Sequence, residues 1–509
     1  MMMLFKFIYE KIVIVKDSGN MANIKTMTVT VDFYRQFEEL NKKLNLLLKE
    51  NRELRTEFKQ EKEDLKSTIK EKDKLIEKLL NEIDRLKNQI NKNSSNSSKP
   101  SSKDIGKPKK SGANLYNSRK TTTNKIGGQK GHKGHGLTKE KIKRLIKENN
   151  IETKIIYHNS NNRNKKDVFK YKIGLETNVY VEKHIFKHNE NSNNKIPKEF
   201  QTDVTYDDSI KALTIELGTY NVIAYERLSD FFNVLSSGII NISNGTLVNF
   251  LKKFSNKSKQ SIENLENNLL NQDIMYTDET TNGNWYIRNY SNEETVLYKP
   301  HKRKGHKQIE EHNILPKYTG AIVHDHDTTM YKYGNKNIGC IVHLGRYLEE
   351  LIQNIKEITW SKKLKELLFN TNQERKKLIN QKINSFSNHQ INDIKKEYDY
   401  LIKIAKKENK NIASKFYKDK AMKLTRRCEK YKENHLAYAC NFNIPFDNNL
   451  SERDLRIIKT KTKISGGFRS EEGAQIYCDA ISIIKTSKRR GINPFKAILA
   501  IFNNEDLFA

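Results

Sequence analysis

Apolar residues recur at heptad spacing from Phe37 through Leu40, Leu44, Leu47, Leu54, Phe58 and Leu65. After a four-residue slip the pattern resumes with Ile69, Ile76, Leu79, Ile83, Leu86 and Ile90. Charged residues fill the intervening positions, so a single apolar seam runs along one long helix. The slip between Leu65 and Ile69 has the length of a stutter, a local unwinding of a supercoil. Asn51 falls inside the seam, where a buried amide fixes register and strand number. The spacing predicts a coiled coil over residues 32–92 and self-association through it.

Residues 93–136 change character. Their Ser, Asn, Lys and Pro mixture, as in NSSNSSKPSSKDIGKPKK, cannot bury a core and reads as a flexible basic linker. It ends in GGQKGHKGHG, too glycine-rich for a helix interior. Those glycines, with Lys130 and Lys133, either bring amides and ammonium groups close to phosphates or form a simple tether. His132 and His135 lack further ligands nearby and make a weak metal signature. Residues 137–204 hold short β-type runs, TKIIYH and NVYVEKHIF, between Asn-rich turns. Residues 205–260 read as helical, with ERLSDFFNVL and SNGTLVNFLKKF at amphipathic spacing and Ser243 or Asn244 as a cap.

From residue 261 to 360 the pattern alternates strands and helices. DIMYTDETT reads as a strand with Asp278 near its end, and NWYIRNY and ETVLYKP as antiparallel strands joined by SNEE. A helix around Gln308–His312 precedes a short apolar strand, Ala321–Val323, that leads to Asp325. Cys340–His343 looks like a further strand and Tyr347–Ile355 like the helix after it. This order fits an α/β, RNase H-like mixed sheet, interrupted by a polar helical insertion over 361–440 and completed by 441–509. In PFDNNLSERDLRIIKTK a helix starts near Asn448 or Asn449, with Glu452 in its first turn. Arg456 and Lys459 follow four and seven residues later on a similar face.

Two strand aspartates and a helix glutamate can converge on a pair of hard cations, whose preferred ligands are carboxylate oxygens. Each acid also has an ordinary reading. Glu452 fits a capping box with Asn449, Asp278 could close a strand, and His324–Asp325–His326–Asp327 could be a solvated loop with two candidate aspartates.

The chain has 509 residues, enough for two or three domains, and 94 Lys+Arg against 62 Asp+Glu give a net charge of +32. That excess points to a polyanionic partner, of which nucleic acid is the commonest. An AT-rich gene would also enrich Lys, Asn and Ile, but it adds little asymmetry between Lys and Glu. The four cysteines form no CxxC pair and no disulfide framework, which fits a reducing cytoplasm. Residues 1–31 open on an apolar run broken by Lys6, Glu10 and Lys11, too short and charged to span a membrane. They read as an extension upstream of a start at Met21.

Several blocks resemble the IS66 family of bacterial insertion-sequence transposases: NSSKPSS with GGQKGHKGH, the helical segment 209–251, HKRKGHKQIEEHNILPKYTGAIVHDH, PFDNNLSERDLRIIK, and GGFRSEEGAQIYCDAISIIKTSKRRGINPF. They run in consistent order from about residue 93 to the C-terminus. The resemblance implies an RNase H-like DDE domain with Asp278, Asp325 and Glu452 as metal-binding catalytic acids, and favours Asp325 over Asp327 because it follows Val323–His324. It further implies Mg²⁺ or Mn²⁺, cleavage at element ends and joining to target DNA, and nucleoid-associated work with accessory proteins of the same element. Lys459, Arg456, Lys130 and Lys133 become the DNA-contact candidates.

The chain departs from the family pattern in two places. No cysteine precedes Cys340, so the family's zinc-binding segment at 137–204 lacks its cysteine ligands and no structural zinc is expected. Where the family reads His-His-Leu-Arg-Glu-Leu, this chain has His343–Leu344–Gly345–Arg346–Tyr347–Leu348. Both departures motivate an alternative, a catalytically inactive DNA-binding relic that keeps its coiled coil.

Overall fold

The computed structural model describes residues 31–97, 138–149, 153–156, 170–173, 177–186, 197, 200 and 202–508. The chain divides into two units, 1–83 and 84–509. Helix α1, Val31–Asn91, supplies the described part of the first unit, and its last turns belong to the second. Its seam is exposed along its length, with Leu40 at 68%, Leu54 at 62% and Phe58 at 69%. Within the second unit, the end of this helix is held on buried Glu350, to which Asn88 Nδ2 donates at 3.0 Å.

The glycine-rich segment with Lys130 and Lys133 lies outside the described residues. Beyond it, helix α2 (Lys139–Asn149) follows Thr138, whose Oγ1 accepts from the Lys141 amide. The two β-type runs expected in this region are a correction. Their described residues, 153–156 and 178–186, form no strand, and Val181 and Ile185 are 89% and 77% exposed. Alternation becomes a strand only when a neighbour pairs the backbone and a core receives one face, and among the described residues neither is supplied.

Helices α3 (Asp208–Ile215, prolonged by a π-helical turn), α4 (Tyr225–Leu235), α5 (Asn244–Lys257) and α6 (Lys259–Leu270) precede the sheet. Ser243 caps α5 by accepting from the Thr246 amide. The sheet consists of β1 (Ile274–Asn282), β2 (Trp285–Ser291), β3 (Val296–His301), β4 (Ala321–His324) and β5 (Lys336–Gly339), with α7 (His306–His312) between β3 and β4. Its spatial order is β3-β2-β1-β4-β5. The first three strands are antiparallel, while β4 runs parallel to both β1 and β5.

Strand periodicity sorts the side chains onto two covered faces. Met275 and Ile322 enter one core with Phe254 and Leu265 from α5 and α6, and with Ile483 and Ile498 from α15 (Glu471–Arg489) and α16 (Pro494–Phe502). Val323, bordered by Ile274 and Tyr276, enters the other with α8 (Ile341–Asn354) and the insertion. The insertion comprises α9 (Trp360–Asn380), α10 (Asn388–Glu408), α11 (Lys415–Lys430) and α12 (Lys432–Cys440). Trp360, Tyr398 and Tyr438 are its fully buried anchors, each contributing on the order of 2–3 kcal/mol by burial.

Three local expectations need correction. Asp278 sits in the middle of β1, not near its end, because the hairpin with β2 prolongs the strand to Asn282. Cys340–His343 is not a strand: Lys336–Gly339 is, and Ile341 already starts α8. A short apolar run buried on every side gives the same signal for strand and helix. Third, the Glu452 helix is two pieces, α13 (Asn449–Asp454) and α14 (Arg456–Ser465), meeting at Leu455.

Those two helices cover the β1–β3 half of the sheet face whose other half α8 covers. The β1–β2 hairpin turns at Gly283, with φ +61°, and a Cβ there would stand 2.8 Å from the Gly467 Cα. Asn282 accepts from the Phe468 amide and donates to Thr462 Oγ1, tying the hairpin to the end of α14. At the start of this arm, buried Asp454 accepts from Arg489 Nη2 at 2.6 Å and lies 3.4 Å from Lys485 Nζ. Asp454→Ala would leave the Arg489 guanidinium buried without its acid. It should destabilise the second unit by about 3–5 kcal/mol, read as a lowered urea midpoint; a midpoint within error of wild type would show that the pair carries no such weight.

Candidate active site

The register of β1 on β4 pairs Ile274 with Ala321 and Tyr276 with Val323. Continued by two residues, it sets Asp278 beside Asp325, one strand spacing away (about 4.8 Å between backbones). Both acids share the parity of Tyr276 and Val323, so both face α8. Asp278 is pushed up to about 7, first by burial, then by the charge of Asp325, with Glu452 adding to it and Lys459 opposing. Asp325 is raised in the same sense by burial and then by Asp327.

Glu452 reaches this place because the start of α13 is stitched down. Buried Asn448 donates from Nδ2 to the Thr277 carbonyl at 3.0 Å, and its amide donates to Cys340 Sγ at 3.3 Å. Asn289 of β2 joins strand and helix: its Oδ1 accepts from the Asp278 amide at 3.0 Å and from Ser451 Oγ at 2.6 Å. No single motif marks Asn289. The only sequence signal is its place opposite Asp278 in the hairpin.

Glu452 does not cap its own helix. Asn448 occupies the cap position, and Glu452 Oε1 is buried with no hydrogen-bond partner. Its carboxyl is raised by burial and by Asp447 and Asp325, against Arg346 and Lys459. His343 Nδ1 and Arg346 Nη1 of α8 lie 3.6 and 3.8 Å from Oε1. Arg346 Nη1 donates to His343 Nε2 at 3.0 Å, and burial followed by the Arg346 charge lowers His343 to about 3. A neutral ring that accepts at Nε2 carries its proton on Nδ1, facing the glutamate.

The two aspartates of the loop after β4 have different surroundings. Asp327 accepts from the Thr329 amide and hydroxyl at 3.0 and 2.8 Å and stands 3.8 Å from Arg288. Asp325 is the one whose charge bears on both Asp278 and Glu452. The segment is not a solvated loop, since His324 and His326 are 1% and 3% exposed and burial lowers them to about 3 and about 4.

Lys459 is exposed, and its charge reaches both Asp278 and Glu452. Arg456 is exposed and makes no ion pair with the three acids. A cavity of about 220 Å³ opens beside Asp278 and Asp325, walled also by Arg288, Lys304, Tyr347 and Arg427. Next to it, Glu279 is lowered to about 2 by His301, Arg288 and Lys304 against the cost of burial.

Among the described residues, no three His, Cys, Asp or Glu side chains stand together so as to hold a metal ion. The donor chemistry is nevertheless that of a hard cation site. Asp325 and Glu452 both raise Asp278, Asp325 also raises Glu452, one carboxylate oxygen is buried without a partner, and all the donors are oxygens.

The sequence model described as Transposase IS66 family matches residues 204–476, more than half of the chain and inclusive of all three acids. A second, described as Family of unknown function (DUF6444), matches residues 35–138. No curated protein and no solved structure matches the chain.

A raised Asp278 has a consequence for stability when no cation is bound. The folded state holds that proton more tightly than the unfolded chain, so this contribution is complete below the ordinary value of 3.8 and is lost as pH rises to about 7. Thermal melts in EDTA should therefore fall across this window, and Asp278→Asn should flatten the fall. An identical pH slope in the variant would rule out Asp278 as the source.

Proposed function

The chain belongs to the IS66 family of transposases, and we propose that it is a DDE transposase with an RNase H-like catalytic domain, cutting at the ends of its element and joining them to target DNA. The observation that supports this reading is electrostatic: the charges of Asp325, one residue past β4, and of Glu452, from a separate helix, both bear on Asp278 of β1.

Asp278, Asp325 and Glu452 would hold Mg²⁺ or Mn²⁺, which supplies activation of the attacking oxygen and stabilisation of the leaving 3′-oxygen. The protein's own groups prepare that role. Asn289 fixes the backbone of Asp278 and of the Glu452 helix at once. His343, kept neutral by burial and bonded to Arg346, stands beside the Glu452 carboxyl, and the charge of Arg346 opposes the rise that burial imposes on it. Burial of the acids excludes water, which strengthens their pull on a cation. Lys459, with Arg456 further out, would meet the DNA backbone, and the basic segment containing Lys130 and Lys133 would add sequence-independent affinity.

The exposed seam of α1 supports self-association of two or more copies as a coiled coil. Among the described residues no helix is long and apolar enough to cross a membrane.

Strand transfer from a donor plasmid carrying the element, in Mg²⁺ or Mn²⁺, tests the triad. Asp278→Ala, Asp325→Ala and Glu452→Ala should each abolish joining while DNA binding persists, and Asp327→Asn should keep joining. A wild type that binds ends yet never cleaves, with its accessory proteins present, would instead identify an inactive relic. For assembly, light scattering on the full chain should give a multimer that Leu54→Arg combined with Leu79→Arg reduces in mass. A wild type that is monomeric at every concentration would remove the coiled coil from the reading.

A further inference from the structure

Three cations line the cavity beside Asp278 and Asp325, and they are not equivalent. Arg288 and Lys304 both pair with Glu279, at 2.9 and 3.1 Å, and Arg288 also approaches Asp327. Arg427 differs: among the described residues it forms no ion pair with any Asp or Glu, although it is half-buried. Its guanidinium lies over the Tyr347 ring at 5.6 Å, and it comes from the last turn of α11, within the helical insertion.

The surroundings hold this turn in place. Directly after it, Tyr431 stacks on Tyr331 of the loop following Asp325, with centroids 3.9 Å apart and planes 14° off parallel. Tyr398 Oη donates to the Cys428 carbonyl at 3.0 Å, and Asn434 Nδ2 donates to the Asn337 carbonyl of β5 at 2.6 Å. A fixed, half-buried guanidinium without an acid is costly unless an anion from outside completes it. Its planar fork matches a phosphate with two parallel hydrogen bonds. The Tyr347 hydroxyl feels the charges of both Asp325 and Arg427, which places the arginine on the Asp325 side of the site.

We propose that Arg427 binds a backbone phosphate of the DNA strand lying against Asp278 and Asp325, so that the insertion supplies part of the strand-binding groove. This rests on the transposase reading, with the acids as the catalytic centre. Arg427 touches substrate here, while Tyr347 and the Tyr331–Tyr431 stack are positioning residues that act through it.

The test uses the full-length protein in two assays: binding of a fluorescein-labelled duplex of arbitrary sequence in EDTA across a salt series, and cleavage of element ends in Mg²⁺. Arg427→Ala should reduce the slope of log affinity against log salt by about one, as for loss of one phosphate contact. It should slow cleavage by about a hundredfold, the scale of losing one preorganised donor to a phosphoryl oxygen. Arg427→Lys should restore the salt slope but not the rate, since an ammonium lacks the fork. Melting temperatures of both variants should stay near wild type. An unchanged salt slope in Arg427→Ala overturns the proposal, as does equal loss in both variants with lowered melting temperature, which would make Arg427 a packing partner of Tyr347. The binding assay needs neither metal nor cleavage. If Asp278→Asn still cleaves, the triad reading falls while the slope still decides Arg427.

Discussion

Like charge held at close quarters by backbone register is the constraint around which this protein is arranged. The pairing of β1 with β4 ends at Tyr276 and Val323, just before the two acids, and Asp278 and Asp325 then line one cavity. Their repulsion in a buried setting is unfavourable, and the surroundings temper it rather than remove it. Lys459 and Arg346 supply opposing charge from two helices, while Asp327 is drawn off into its own turn and toward Arg288. The nearby histidines stay neutral because burial denies them a proton, so they add no charge of their own.

Helix α8 links the site to the rest of the second unit. Its first turns place His343 and Arg346 beside Glu452, and its far end carries Glu350, on which the end of α1 is anchored through Asn88. Between these points the helix forms the floor on which the insertion packs, with Leu344 and Leu348 in one core with Trp360 and Tyr438. The insertion is therefore continuous with the wall of the cavity and contributes Arg427 to it, while Tyr431 stacks on Tyr331.

Much of this was legible in the residues. The alternation in NWYIRNY and ETVLYKP gave the hairpin, the heptads gave α1, and the DNNLSERD block put a helix start near Asn448 or Asn449 with Glu452 in its first turn. What escaped was set by tertiary partners. Cys340–His343 is buried at every position where a helix begins, so its pattern carried no period to read. NVYVEKHIF alternates like a strand, yet among the described residues nothing pairs with it. Asn289 and Arg427 are ordinary in sequence; one matters through a cross-strand register and the other through an insertion that folds back from a distance of a hundred residues along the chain.

The approach of Gly283 to Gly467 bears on how copies of such an element age. A side chain at either glycine would drive a β carbon to within 3 Å of the other's backbone and push the α14 arm away from the hairpin. The damage would fall on a segment that bears no acid, so an inventory of Asp278, Asp325 and Glu452 would still pass the copy as intact. In this chain the fit of two glycines is therefore a requirement that no acidic residue records.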